Sequence, residues 1–129
     1  AMLTNRNATV TLCHSKTQNL EAHLKGADII VAAIGIPGFV TAEMVKEGAV
    51  LVDVGINRLD KESDILEMCN DSQIKRFKKK GYAITGDIHK KAFEKSSFYT
   101  PVPGGIGKMT VAILMKNTLH LFKKQNKLN

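Results

Sequence analysis

Two apolar stretches, Asp28 to Ile34 (D-I-I-V-A-A-I) and Ala49 to Val54 (A-V-L-V-D-V), limit what this chain can fold into more than any other feature. Each is continuous instead of alternating, which predicts strands buried on both faces, the mark of a parallel sheet held between helix layers. A helix predicted from Thr41 to Glu47 lies between them, giving the strand, helix, strand order of a crossover. The alternation extends to either side. Ala8 to Cys13 (A-T-V-T-L-C) is β-branched and reads as a strand, and Asn19 to Lys25 sets Leu20 and Leu24 on one helical face with Gly26 as C-cap. Ala1 to Asn5 reads as the tail of a helix, Tyr82 to Thr85 as a short strand, Ala92 to Lys95 as a helical turn and Phe98 to Thr100 as the last strand. From Met109 to Phe122, apolar residues including Val111, Leu114, Met115, Leu119 and Phe122 recur at helical spacing, which predicts a helix with one apolar face. The fold class is α/β, a doubly wound and mainly parallel sheet in one domain.

Composition narrows the setting. With 129 residues, 43% of them hydrophobic, the chain can bury a core, and its longest apolar run, Ile29 to Ile36, is far shorter than the roughly 18 residues of a membrane span. The first residues, Ala1 to Arg6, show no secretory signal pattern, and Cys13 and Cys69 form no C-x-x-C pair, so the expected setting is a reducing cytoplasm. His14, His23, His89 and His120 are scattered, so no metal site is expected. A formal charge of +7 suits an anionic partner: a phosphate-rich cofactor, a polyglutamate tail or nucleic acid. Charged residues of both signs are dense in an excursion from Arg58 to Lys80, read as one or two helical turns whose basic face is either simply solvated or a docking surface for an acidic partner.

In an open α/β sheet, ligands bind beyond the carboxyl ends of the strands. The segments found there are His14-Ser15-Lys16-Thr17, Gly35-Ile36-Pro37-Gly38, Gly55-Ile56-Asn57, Gly86-Asp87 and the long run Thr100 to Thr110, T-P-V-P-G-G-I-G-K-M-T. In the last, Pro101 and Pro103 fix φ while Gly104, Gly105 and Gly107 permit unusual backbone shapes, and the loop runs onto a helix N-terminus that is hospitable to anions. The first loop bears on cofactor choice. Dinucleotide-binding sheets use an acid after the second strand to hold a ribose 2′-hydroxyl, whereas His14, Ser15 and Lys16 offer a hydroxyl and a positive charge that suit a 2′-phosphate, favouring NADP over NAD.

The five segments C-H-S-K-T, A-I-G-I-P-G, V-D-V-G-I-N, G-D-I and T-P-V-P-G-G-I-G-K-M-T, in this order, resemble the C-terminal cofactor-binding domain of the bifunctional methylenetetrahydrofolate dehydrogenase/cyclohydrolase family. Lys108 stands where that family usually has proline, and the charged excursion is longer than the family's short hairpin. The resemblance implies a Rossmann-like domain and NADP as cofactor. It implies oxidation of 5,10-methylenetetrahydrofolate to 5,10-methenyltetrahydrofolate and hydrolysis of that product to 10-formyltetrahydrofolate. By the same resemblance Ser15 meets the adenosine 2′-phosphate, Gly35 and Pro37 line the cofactor cleft, Ile56 and Asn57 line the nicotinamide end, and Thr110 helps to hold it. Pro103, Gly104, Gly105, Ile106 and Gly107 lie against the folate substrate.

The family's catalytic lysine and tyrosine belong to a Y-x-x-x-K motif in a preceding domain, and neither Tyr82 nor Tyr99 is followed by lysine at that spacing, so no catalytic residue is assigned. Asp53 and Asp87 are alternatives as acids or bases, yet one lies in an apolar strand and the other suits a helix cap. The family's first strand and its G-R-S-x-x-V-G-x-P phosphate loop have no counterpart, and Ala1-Met2-Leu3 is similar to the segment that follows that loop. Residues 1–129 are therefore expected to be a partial NADP-binding domain, with the N-terminal substrate and catalytic domain absent and the full-length enzyme a homodimer. Two other readings stay open: an NAD-dependent dehydrogenase of the same fold, and a non-catalytic module binding nucleic acid through Lys75 to Lys80 with Lys123, Lys124 and Lys127. Against the latter, only 5% of residues are aromatic and none sits in an RNA-stacking motif, so neither nucleic acid nor membrane is expected as a partner.

Overall fold

The computed structural model describes residues 2–128. Its centre is a three-stranded parallel sheet of β1 (Ile29–Ala32), β2 (Val50–Asp53) and β5 (Phe98–Tyr99), in the spatial order β1-β2-β5. The register pairs Ile30 with Leu51 and Ala32 with Asp53 on one side, and Leu51 with Tyr99 on the other. A separate antiparallel ribbon joins β3 (Asn57–Leu59) to β4 (Ala83–Thr85). The helices are α1 (Leu20–Gly26), α2 (Glu62–Met68), α3 (Asp71–Lys80), α4 (Lys90–Phe93) and α5 (Ile106–Gln125). The architecture is α/β and mainly parallel, as expected.

One face of the parallel sheet carries the main core. Ile30, Ala32 and Leu51 pack there with Val40, Val45, Ala49, Ile88 and Ala92, and Leu24 of α1 and Phe93 of α4 close over them. The other face is open, because Ile29 and Val31 remain 59% and 56% exposed. Burial on both faces, expected from the continuous apolar runs, is thus corrected: β1 alternates exposed and buried like a sheet covered on one side. Residues 29 to 32 rather than 28 to 34 form the strand, since Ile34 and Gly35 turn their amides to a side chain instead of a ladder.

Four further expectations change. Ala8 to Cys13 forms no strand; it pairs with no neighbour and leaves Leu12 87% exposed, because a β-branched run becomes a strand only when a ladder partner satisfies its backbone. Thr41 to Glu47 holds only the 3-10 turn Ala42–Met44. Buried Val40 and Val45 fix both ends of this crossover, and Val40 bridges Ile88, so the span has room for one turn. Gly26 ends α1 inside the helix, with extended Ala27 as the cap. Ala1 lies outside the described residues, and the expected helix tail is a 3-10 turn at Thr4–Arg6.

The excursion is more ordered than one or two turns. Helices α2 and α3 enclose a second small core of Leu59, Ile65, Cys69 and Ala83, with Met68, Ile74 and Phe77 against it. Asn70 starts α3 through a capping box: its side chain accepts from the Gln73 N–H, and the Gln73 side chain accepts from the Asn70 N–H. Gly81 ends the helix at φ 74° with Lys78, Lys79 and Lys80 in the last turn, where positive charge complements the helix dipole. The basic run therefore has a local structural reason. Helix α5 is longer than expected and, from Met109 onward, exposes its apolar residues, including Leu114, Met115, Leu119 and Phe122. No described helix is long and apolar enough to cross a membrane.

Candidate ligand site at the carboxyl ends of the strands

Two buried carboxylates organise the carboxyl end of the sheet. Asp53 closes β2 and is 1% exposed; its Oδ1 accepts from the backbone N–H groups of Gly55 and Asp87, at 2.9 and 3.0 Å, and its Oδ2 from that of Ile88 at 2.9 Å. Asp87 follows β4 and is fully buried; its Oδ2 accepts from the N–H groups of Ile34 and Gly35, and its Oδ1 from the Asn57 side-chain amide at 2.7 Å. Burial pushes the Asp53 carboxyl up from its ordinary value and the nearby Asp87 charge adds to that, while the three backbone donors pull it down. A carboxylate so placed would be costly without donors, and charge-assisted bonds of this kind contribute on the order of 1.5–3 kcal/mol each.

Glycine completes the lock. A Cβ on Gly55 would collide with the Asp87 carboxylate, and a Cβ on Gly86 would collide with that of Asp53. Neither glycine has positive φ, so space rather than backbone conformation demands them. Each aspartate thus sits over the glycine beside the other. Both carboxylates hold the loops together, and Asp87 caps no helix: the residue capping α4 is His89.

Through these bonds the loops after β1, β2 and β4 meet. Gly35, at φ 77°, has its N–H taken up by Asp87, Gly38 donates its N–H to the Gly86 carbonyl, and Pro37 between them is half-buried. Asn57 is held by Asp87, while neighbouring Ile56 is 71% exposed, an apolar surface at the mouth of the site. The loop after β5 joins through Thr100, whose hydroxyl accepts from the Asp53 N–H at 2.8 Å. Beyond it the Val102–Pro103 peptide is cis, Gly104 has φ 110°, and the Gly105 N–H donates to the Pro101 carbonyl at 2.8 Å. A Cβ on Gly105 would lie 2.5 Å from that carbonyl, so this glycine is required by the loop's own turn. Pro103, Gly104 and Gly107 are exposed and Ile106 is partly so; the Thr110 hydroxyl donates back to the Ile106 carbonyl within α5.

The His14 to Thr17 segment is not drawn into this cluster. It is a self-contained turn in which the Thr17 hydroxyl accepts the His14 N–H, the Thr17 N–H donates to the His14 carbonyl, and His14 Nδ1 accepts the Lys16 N–H. Ser15 and Lys16 face solvent. Sequence reasoning missed Gln73, which is buried and donates to the carbonyls of Ile84 and Val102; its signal was the Asn70-x-x-Gln73 spacing of a capping box. Among the described residues no group of three or more His, Cys, Asp or Glu is placed to hold a metal.

Residues 1–126 match the family model of the tetrahydrofolate dehydrogenase/cyclohydrolase NAD(P)-binding domain. The chain belongs to this family. The bifunctional protein FolD of Koribacter versatilis is 48% identical over 125 residues, covering 95% of this chain and 40% of the relative; that of Campylobacter curvus is 50% identical over 120 residues, covering 92% and 35%. Among solved structures, the FolD methylenetetrahydrofolate dehydrogenase/cyclohydrolase of Campylobacter jejuni superposes with a TM-score of 0.74 at 38% identity, covering 96% of this chain and 37% of that one. The Trypanosoma brucei enzyme, described as complexed with NADP cofactor and inhibitor, gives 0.74 at 36% identity, covering 96% and 38%. The chain therefore spans about two fifths of the length of these relatives. The fold is Rossmann-like, as the family domain requires.

The reciprocal packing of this NAD(P)-binding domain yields a prediction. Gly86→Ala should destabilise the chain by about 1–3 kcal/mol, as overpacking does in tight interiors, although the backbone there would accept alanine. Urea unfolding monitored by circular dichroism measures this; a variant as stable as the parent would mean that Asp53 moves aside freely.

Proposed function

We propose that this chain is the cofactor-binding part of an NADP-dependent methylenetetrahydrofolate dehydrogenase/cyclohydrolase, which oxidises 5,10-methylenetetrahydrofolate and hydrolyses the methenyl product to 10-formyltetrahydrofolate. The observation that carries this reading is the gathering of four strand-end loops around Asp53 and Asp87, where a family of NAD(P)-binding domains has its ligand side. Relatives named as bifunctional enzymes at 48 and 50% identity support it.

The donor set fits the cofactor. At the adenosine end, the exposed turn offers the Ser15 hydroxyl and the Lys16 ammonium, with His14 beside them and no carboxylate in residues 14–17, which suits a dianionic 2′-phosphate. At the other end, exposed Ile56 gives a planar ring an apolar bed, and Asn57, fixed by Asp87, presents its remaining amide atoms beside it. Gly35 and Pro37 form the wall between, contributing shape, because the Gly35 N–H is already taken. Thr110, with a hydroxyl oxygen that can still accept, stands near the start of α5. Pro103 to Gly107 are then the folate side, their stiffness giving the pterin a fixed rim. Bound NADP would supply the hydride acceptor; the chain's own residues bind and orient.

We further propose that this chain alone performs neither reaction. The exposed apolar residues of α5, the open face of β1 and Phe98 at 74% exposure support a need for cover from another part of the enzyme, which would also bring the acid–base groups that no described cluster offers. The free thiols Cys13 and Cys69 fit a reducing cytoplasm.

Two measurements check the reading. With the N-terminal part of a family enzyme supplied, Ser15→Ala and Lys16→Ala should each weaken NADP about tenfold, which is ~1.4 kcal/mol, and leave NAD affinity nearly unchanged; equal losses for both cofactors would remove the 2′-phosphate assignment. NADPH formation from methylenetetrahydrofolate should appear only when that part is present. Robust turnover by the 129 residues alone would demand a catalytic group within them.

A further inference from the structure

The helical pair α2–α3 reaches the loop after β5 through one side chain. Gln73 stands in the first turn of α3, 9% exposed, and every hydrogen of its amide is used: Nε2 donates to the Ile84 carbonyl at 2.8 Å and to the Val102 carbonyl at 2.9 Å, while Oε1 accepts the Asn70 N–H at 2.8 Å. Val102 lies between two prolines that have no N–H of their own, in a loop whose other ties are the Thr100 N–H to Leu51, the Thr100 hydroxyl to the Asp53 backbone and the Gly105 N–H to Pro101. The Val102 carbonyl is thus the point at which a side chain from outside grips the loop.

Residue choice separates the two jobs of this position. The third residue of a capping box accepts glutamate as readily as glutamine, and the helix dipole favours the negative charge there. Glutamate would satisfy the Asn70 N–H equally well, but it cannot donate to two carbonyls at once. Glutamine is therefore demanded by the loop and by β4, and not by the helix it begins.

We propose that Gln73 is a positioning residue for the folate side of the site: it braces the loop from Thr100 to Gly105 through the Val102 carbonyl, and thereby couples the α2–α3 pair to substrate geometry. The proposal rests on the reading of that loop as the substrate rim. Loss of the brace leaves a half-buried carbonyl unpaired and lets the rim shift, and a displacement of about 1 Å can cost up to roughly a hundredfold in rate.

The test uses the chain together with the N-terminal part of a family enzyme. Gln73→Glu keeps the cap and removes the donors, whereas Asn70→Ala removes the cap and keeps the donors. For Gln73→Glu, kcat/KM for methylenetetrahydrofolate should fall about tenfold while KM for NADP stays within about twofold. Asn70→Ala should lower the melting temperature and leave both substrates' constants unchanged. If Gln73→Glu does not fold, Gln73→Met, similar in length and uncharged but without donors, replaces it in the comparison. Unchanged folate kinetics, or equal changes for folate and NADP, would overturn the proposal while leaving the functional reading intact. A wild-type assembly that binds NADP and never oxidises methylenetetrahydrofolate would overturn the functional reading, and the assignment of Gln73 to substrate geometry with it.

Discussion

Two buried carboxylates, set across a pair of glycines, hold the ligand end of this domain in one shape. Asp53 gathers the amides that follow β2 and β4, Asp87 gathers those that follow β1 together with Asn57, and Thr100 adds the strand-end loop of β5. Parallel strands end with their backbone groups unpaired, and in most loops water satisfies them. Here side-chain oxygens do so, inside the protein, where each bond is strengthened by the low dielectric and where an unpaired group would cost most. Burial raises the pKa of Asp53, and repulsion from Asp87 adds to that. The donors offset the repulsion, so the arrangement stands only while all the loops are in place.

That interdependence explains why some features could be read from the sequence and others could not. Strands at Ile29–Ala32 and Val50–Asp53 were legible because no other element accommodates such short, dense apolar runs bounded by small polar residues. Their two-sided burial was not, since apolar content says what a face prefers and not whether anything covers it; Ile29 and Val31 show the difference. The strand at Ala8 to Cys13 failed for a related reason: propensity is local, but a ladder needs a partner. Asp53 looked anomalous within V-L-V-D-V. Nothing in spacing revealed that Gly86, more than thirty residues away, leaves the space its carboxylate fills. The site loops themselves were legible as small and polar segments after strands, and four of the five converge; the His14 to Thr17 turn keeps to itself.

The helical pair between β3 and β4 has a core of its own and is tied to the site at a few points. Its own core of Ile65, Cys69, Leu59 and Ala83 makes it locally stable, and the Gly81 cap and basic last turn finish α3 without help from the main sheet. Contact with the site passes through Gln73 at the loop after β5 and through Met68, whose sulfur lies against Gly38 beside the loop after β1. Movement of the pair would therefore be felt at both walls of the proposed cleft.

Residue-resolved amide hydrogen exchange on the parent chain and on Asp87→Ala tests the organising role of the carboxylates most directly. Protection at Ile34 and Gly35 should be lost in the variant, while Val50 and Val54, whose N–H groups donate to the Asp28 and Ala32 carbonyls, keep theirs. Unchanged protection at Ile34 and Gly35 would contradict the account.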